Sequence, residues 1–111
     1  MIEVIIHDYL VDKLDVPVLM EIPVNPASAF IVLEKVGSGL ENHIRSASIA
    51  VQSYGESLLD AVQLNESVKT AMLDLDGLDE ICSVRLNTDY NFTDPSAKRY
   101  RYQAVFDITH Y

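Results

Sequence analysis

The chain has 111 residues, enough for one domain with one hydrophobic core, and we predict a single domain over residues 1–111. Its 17 acidic and 8 basic residues give a formal net charge of −9. This charge argues against general nucleic-acid binding and against docking on anionic lipid, because both depend on Lys and Arg. The single cysteine, Cys82, cannot form an internal disulfide, and no apolar run is long enough to span a bilayer. These features predict a protein made in a cytoplasm.

The first part of the chain is predicted to contain one helix and two strands. Residues 1–14 carry apolar side chains at spacings of three and four, which indicates an amphipathic helix. Residues 18–22 lie between two prolines and predict a short edge strand, since proline cannot donate to a ladder. A turn at 25–28 precedes a strand at 29–36, which is apolar on both faces at its start and is therefore expected at a central position.

The connection that follows is predicted to be flexible. Residues 37–43 read GSGLENH, contain two glycines and form a longer link than a tight hairpin turn needs. A strand at 44–54 comes next, with Ile49 and Val51 on the same face. Gly55 ends this strand.

The second half of the chain is predicted to form one helix and two strands. Residues 56–75 present a broad apolar face that includes Leu58, and Gly77 lies where a C-terminal glycine cap is expected. A strand at 80–88, a polar loop with aromatic residues at 88–99 and a strictly alternating strand at 99–110 follow. This order, α-β-β-β-α-β-β, predicts an α+β fold with a mainly antiparallel or mixed sheet of about five strands packed against two helices.

No residue pattern predicts a reactive centre. The segment 37–39 lacks the Lys and Ser/Thr of a phosphate loop, and the acids that start at Asp74 lack the Glu a calcium loop needs at its twelfth position. None of the three histidines, His7, His43 and His110, has a second ligand at metal spacing. Cys82 within a strand is interpreted as a small apolar residue, although a catalytic partner distant in the chain stays an open alternative. We therefore expect no catalysis, no cofactor and no metal.

A short basic segment alternates arginine with tyrosine. Arg99 and Arg101 are interleaved with Tyr100 and Tyr102, an arrangement that can stack on nucleic-acid bases. Period-two alternation puts the arginines on one face and the tyrosines on the other, which favours an amphipathic strand whose tyrosines cover the core. A protein–protein role for the arginines is a further alternative, since Arg and Tyr are enriched at interfaces.

Nearly the whole chain resembles a family of structural phage proteins. The resemblance rests on the opening helix with LDVPVLMEIP, on AFIVLEKVGSGLENHIRSASIAVQSYGESLLDAVQLNESV, and on the ending LNTDYNFTDPSAKRYRYQAVFDITHY. These segments are similar to tail terminator and tail-completion proteins, encoded among the head-to-tail joining genes of long-tailed bacteriophages and prophages of Gram-positive hosts. The shared features are packing patterns, so the resemblance carries no catalytic residues.

The resemblance implies a homo-oligomeric ring, commonly of six copies, that caps the tail tube and stops its polymerisation. It implies the major tail protein and the head connector as partners, a channel through which DNA passes without specific binding, and a place in the virion neck after assembly in the host cytoplasm. No membrane contact is expected. The alternatives are a head-completion or connector subunit, and a small cytoplasmic regulatory or enzymatic domain.

A ring with head-to-tail contacts needs two different, complementary patches on each subunit. The connection at 37–46 and the loop at 87–98 are the candidates, with packing of the loop aromatics onto their own core as the alternative. The candidate interface residues are Leu40, His43, Arg45, Tyr90, Phe92, Arg99 and Arg101. The charge of −9 also motivates the hypothesis that surplus acids face the channel and repel DNA phosphates.

Overall fold

Two helices and five strands make up the fold in the computed structural model, which describes residues 1–96 and 99–111. Their bounds are α1 Ile2–Lys13, β1 Val18–Leu19, β2 Phe30–Glu41, β3 Ile44–Gly55, α2 Leu58–Leu73, β4 Ile81–Asn91 and β5 Tyr100–His110. A 3-10 turn at Leu75–Gly77 joins α2 to β4. The predicted α+β class and the predicted order of elements are confirmed.

The five strands form one sheet in the order β1-β2-β3-β5-β4, antiparallel throughout except for the parallel pair β1–β2. Strand β5 lies between β3 and β4 because α2 carries the chain from β3 to the edge position of β4. Both helices pack on one face, where Ile6 of α1 and Val68 of α2 share a buried cluster with Phe106 of β5. We call the opposite face the open face. Its central side chains include Val32, Gln52, Gln103 and Asp107.

The helices follow their predicted patterns closely. Ile2, Ile6 and Leu10 of α1 are buried, as their spacing indicates. Ser57 is the N-cap residue of α2, and its hydroxyl oxygen accepts a hydrogen bond from the Asp60 N–H at 3.1 Å. The buried side chains of α2 are Ala61, Asn65, Val68 and Met72.

Two details of the predicted α2 are wrong. Leu58, assigned to the apolar face, is 41% exposed because it is the first residue of the helix. Gly77 does not cap the helix, since α2 ends at Leu73 with Asp74 as its C-cap residue, and no described glycine has a positive φ. Instead the Gly77 N–H donates to the Asp74 carbonyl at 3.1 Å within the 3-10 turn, which brings Leu75 into the core.

The predicted flexible connection at 37–43 is also wrong. Strand β2 continues to Glu41, and only Asn42 and His43 form the turn, with φ of 51° and 65°. Two positive φ values match the twist that a two-residue hairpin requires, and Asn tolerates this conformation better than most residues. Gly37 and Gly39 fit within the strand because they lie opposite Ser48 and Ser46 of β3.

Other strand bounds differ in length from the prediction. The expected strand at 18–22 is reduced to Val18 and Leu19, paired parallel to Ile31 and Val32 at the sheet edge. Strand β4 extends to Asn91, so part of the predicted loop at 88–99 belongs to the sheet. Both predicted strands are present, but β1 is shorter and β4 is longer than predicted.

Gly55 lies where β3 passes directly against the first turn of α2. A Cβ atom at this position would stand 2.8 Å from the Ala61 nitrogen and 2.9 Å from the Asp60 Cβ. The Ala61 nitrogen belongs to the helix backbone and the Asp60 Cβ is bonded directly to it, so neither atom can move away without shifting α2. The position therefore requires glycine, which has no side chain.

Candidate functional surfaces

The seven candidate interface residues lie at opposite ends of the sheet. Strand β5 sets this arrangement, because Tyr100 pairs with Gly55 at one end and His110 pairs with Arg45 at the other. At the first end lies the arginine–aromatic patch, defined as Tyr90, Phe92, Arg99 and Arg101. At the second end lies the hairpin tip, defined as Leu40, His43 and Arg45. The structure thus brings together four residues that the sequence placed on a loop and on a strand.

Arg101 is the centre of the arginine–aromatic patch. Its guanidinium carbon lies 4.3 Å from the centroid of the Phe92 ring and 5.6 Å from that of the Tyr54 ring. Its Nε donates to the Phe92 carbonyl at 2.8 Å, and Nη1 donates to the Tyr54 hydroxyl at 3.0 Å. The Tyr90 ring meets Phe92 edge-on, with 5.7 Å between centroids. The two aromatic residues therefore pack back onto the sheet, yet Tyr90 stays 39% and Phe92 41% exposed.

Two buried aromatic rings, Phe30 and Tyr54, contact the arginines of the patch. The Phe30 and Tyr54 rings stack with centroids 4.4 Å apart and planes inclined by 7°. The Arg99 guanidinium lies 5.9 Å from the Phe30 ring centroid, within reach of a cation–π contact. Sequence reasoning missed this pair, because only the β2–β3 register places Phe30 opposite Tyr54.

A chain of side-chain hydrogen bonds continues from the patch along the open face. The Tyr54 hydroxyl donates to Gln52 Oε1 at 3.3 Å, and Gln52 Nε2 donates to Gln103 Oε1 at 2.8 Å. Gln103 Nε2 then donates to the Tyr90 hydroxyl at 2.5 Å. These bonds connect three strands and fix the orientation of Tyr54 and Tyr90, since connected polar networks make a surface rigid.

Four exposed acids occupy the segment between α2 and β4. This acidic turn is defined as Asp74, Asp76, Asp79 and Glu80. It lies at the hairpin-tip end of the sheet, because the next residue, Ile81, pairs with His110. These acids follow the C-terminus of α2, which is the negative end of the helix dipole. The last turn of α2 has no basic residue that would offset their charge. Burial, followed by the charges of Asp74 and Asp76, raises the pKa of Tyr9 on the neighbouring helix.

Neither of these two charged regions contains an ion pair between described residues. Within residues 1–96 and 99–111, no carboxylate lies within 4.0 Å of the Arg99 or Arg101 guanidinium. By the same criterion, the acidic turn makes no ion pair with any basic group in that part of the chain. Asp94, which forms an isolated β-bridge with Arg99, has a further interaction of its own.

The hairpin tip borders a groove next to the start of α1. Leu40 is 70% exposed, and Arg45 lines this groove of about 510 Å³ together with Met1 and Lys35. Lys35 Nζ lies 3.7 Å from Glu3 Oε2, whereas Glu3 Oε1 is buried and has no hydrogen-bond partner among the described residues. His43 lies at the turn itself. The groove is therefore an open surface of mixed polarity, and the tip residues are accessible.

Asp107 organises a second polar group on the open face. It accepts hydrogen bonds from Asn87 at 2.9 Å, from Ser48 at 3.0 Å and from Arg85 at 3.1 Å. The hydrogen bond from Asn87 is the largest cause that holds the pKa of Asp107 below its usual value, and Arg85 and Ser48 act in the same direction. Burial opposes them. Sequence reasoning missed this group, because its members come from three strands and only the register aligns them.

A buried amide ties α2 to β4. Asn65 is 1% exposed, and its Nδ2 donates to Asp89 Oδ2 at 2.9 Å. Lys69 Nζ donates to the same oxygen at 3.0 Å and also pairs with Glu66 at 2.8 Å. Hydrogen bonds to Glu66 and then Asp89 raise the pKa of Lys69. This group was also missed, since Asn65 falls on the predicted apolar face and gives no local signal of its partner.

The residues with reactive potential are scattered over the described part of the chain. His7 Nε2 lies 2.9 Å from the Val18 carbonyl, His43 is in the hairpin turn, and His110 Nδ1 lies 3.1 Å from the Tyr111 carbonyl. A hydrogen bond with Cys82 is the main cause that raises the pKa of Tyr111. Among the described residues, no group of three or more His, Cys, Asp or Glu side chains is arranged to hold a metal ion.

No model of a protein family matches the chain, and no curated protein sequence matches it significantly. Within the described residues, the helices are too short and too polar to cross a bilayer.

Proposed function

We propose that the chain is a tail terminator or tail-completion subunit of a long-tailed phage or prophage. It forms a ring, commonly of six copies in such proteins, that caps the tail tube and stops polymerisation of the major tail protein. The ring joins the tube to the head connector in the virion neck, and DNA passes through its channel without specific binding. The subunit acts through its surfaces and catalyses nothing. An acidic channel lining stays a prediction of this proposal.

The observation that carries the proposal is the pair of dissimilar surfaces at opposite ends of the sheet. A closed ring joins its copies through two different patches on each subunit. The arginine–aromatic patch and the end formed by the hairpin tip and the acidic turn differ in charge and in residue type. They are separated along a molecule whose longest dimension is 44 Å. Partly exposed aromatic and Arg side chains held on a rigid base are typical of interface anchors.

The order of elements gives further support. The segments that resemble tail terminator proteins describe a helix, a proline-punctuated strand, a long hairpin, a second helix and a closing strand. The chain has α1, β1, the β2–β3 hairpin, α2 and β5 in that order, with β4 added before the closing strand. The packing patterns behind the resemblance therefore fall on matching elements of the fold.

Deletion of the gene in its own phage tests the proposal. We expect DNA-filled heads beside overlong, unattached tails, because nothing would stop tube polymerisation. The wild-type gene supplied in trans should restore normal particles, and the Cys82→Ser variant should restore them equally well. Electron microscopy and measured tail lengths decide the result.

Three outcomes would overturn the proposal. Normal virions from the deletion would show that the protein is dispensable for tail assembly. Tails of normal length beside heads that lose DNA would favour a head-completion subunit instead. A turnover activity that disappears in Cys82→Ser, with particle assembly intact, would favour an enzyme.

A further inference from the structure

Both ends of the subunit hold charge that no ion pair among the described residues balances. The acidic turn gathers four carboxylates at the unfavourable end of the α2 dipole, where like charges repel each other. At the other end, two guanidinium groups lie over aromatic rings with no carboxylate within 4.0 Å in the described chain. The clustered carboxylates are unfavourable for a lone subunit, and the guanidinium groups keep charge that can bind an anion, so each end gains when it meets the opposite charge.

We propose that the arginine–aromatic patch of one subunit binds the acidic turn of a second copy. The partner is the same chain, and the contact joins the subunits head to tail. The inference rests on the proposed function for its biological meaning, since it names the two surfaces that would close the ring.

The patch has donors free to receive carboxylates. Arg101 uses Nε and Nη1 for bonds within the subunit, and among the described residues its Nη2 makes no hydrogen bond. The Arg99 side chain makes none either within that part of the chain. Charged guanidinium donors bind carboxylates more strongly than neutral donors do. Tyr90 and Phe92 border these donors and would exclude water from the contact, as the residues that surround a binding hot spot do.

The acidic turn is held in place before any contact forms. The Leu75 side chain is fully buried beneath it, and the Leu78 N–H donates to the Leu75 carbonyl at 3.0 Å. The Gly77 N–H donates to the Asp74 carbonyl at 3.1 Å. A preformed surface loses little conformational freedom on binding, so its charges contribute more to affinity.

Local charge complementarity favours a second copy over nucleic acid, although the net charge opposes non-specific association of copies as well. A net charge of −9 repels phosphates from most of the surface, and two arginines are few against that field. Each copy brings its own acidic turn, which supplies the complementary charge in a one-to-one ratio. Because the two surfaces differ, the contact is heterologous and gives a ring or an open chain according to the rotation between copies.

Charge reversal tests the contact in solution. One variant carries Arg99→Glu, and a second carries Asp76→Lys with Asp79→Lys. These side chains make no hydrogen bonds within the described chain, and circular dichroism would verify that both variants fold. Sedimentation velocity at low salt measures the association constant of the purified full chain over a concentration series.

The expected result is complementation between the variants. The wild-type chain should self-associate at low salt, and each variant alone should associate about tenfold more weakly or worse, because like charges then face each other. An equimolar mixture should regain association, since the intact patch of the second variant can meet the intact turn of the first. Arg85→Glu on the open face, and Asp12→Lys with Glu21→Lys, make the same charge changes outside both surfaces and should leave association unaltered.

Several results would overturn the inference. These are a wild-type chain that stays monomeric up to about 1 mM at low salt, variants that associate as well as the wild type, and controls that weaken association equally. Binding of a DNA oligonucleotide that Arg99→Glu abolishes, without self-association, would assign the patch to nucleic acid. The deletion experiment is independent: overlong tails with a failed association test would refute only this contact, and normal virions with a successful one would refute only the proposed function.

Discussion

Replacement of Arg101 by lysine should destabilise the patch end of the sheet although the positive charge is kept. Arg101 donates from two nitrogens to separate acceptors on Phe92 and Tyr54, and a single lysine Nζ cannot replace that fork. One charge-assisted hydrogen bond contributes about 1.5 kcal/mol at the low end of its range, which suits a half-buried group. Loss of stacking on Phe92 adds about 0.5 kcal/mol. The free energy of unfolding should therefore fall by about 2 kcal/mol, and Tm by about 8 °C for a domain of this size.

Urea denaturation followed by circular dichroism measures this change. High salt and a low protein concentration keep self-association from contributing to the stability. Arg85→Lys is the matched control, because Arg85 makes one bond to Asp107 at 3.1 Å and its side chain is 78% exposed. Its expected effect is within about 0.5 kcal/mol. The reasoning is refuted if Arg101→Lys matches the wild type, or if the control loses as much stability.

Three further changes test other parts of the fold. Hydrogen bonding, led by Asn87, lowers the pKa of Asp107 in the folded protein. The ionised carboxylate therefore stabilises the fold at pH values above the unfolded pKa near 3.8. This contribution is lost as the pH falls through the pKa of the folded state. Urea midpoints at about pH 5.5 and about pH 3 should thus differ less in Asp107→Asn than in the wild type; an equal difference would contradict this. His43→Gly should raise the free energy of unfolding by about 0.5 kcal/mol and His43→Val should lower it by about 1 kcal/mol, because φ is 65° there; a reversed order in thermal melts would count against the turn. Asp89→Ala should lower the free energy of unfolding by about 2 kcal/mol in urea titrations, since it leaves the buried Asn65 amide without its hydrogen-bond partner. An unchanged free energy of unfolding would mean that Asn65 forms a different hydrogen bond in the variant.

The element order was predictable because periodicity survives in most of the chain. The buried stripe of α1 and the alternation along β5 appear directly in the residue spacing. The hairpin at 37–43 was not, because its glycines and polar residues favour a loop when considered alone. Pairing with β3 overrides that local preference, and no single segment contains the information about its partner strand.

The candidate surfaces were predictable only in part. The local sequence identifies aromatic or basic residues in polar surroundings as interface candidates, namely Tyr90, Phe92, Arg99 and Arg101. Their assembly around Arg101 depends on the β4–β5 register, which no local pattern determines. Asn65 illustrates the reverse case, since a polar residue on an apolar face is explained only by Asp89, which lies 24 positions later in the chain.

The contact at Gly55 has a consequence for how this chain can vary among relatives. Because the end of β3 touches the first turn of α2, there is no room for a methyl group at position 55. The same contact does not accommodate an inserted residue between β3 and α2. Each added residue in the two-residue link before Leu58 would rotate α2 by about 100° and aim its apolar stripe away from the sheet. We therefore expect homologues to keep glycine here and a link of constant length, even where the loops around Pro23 and Pro95 differ freely.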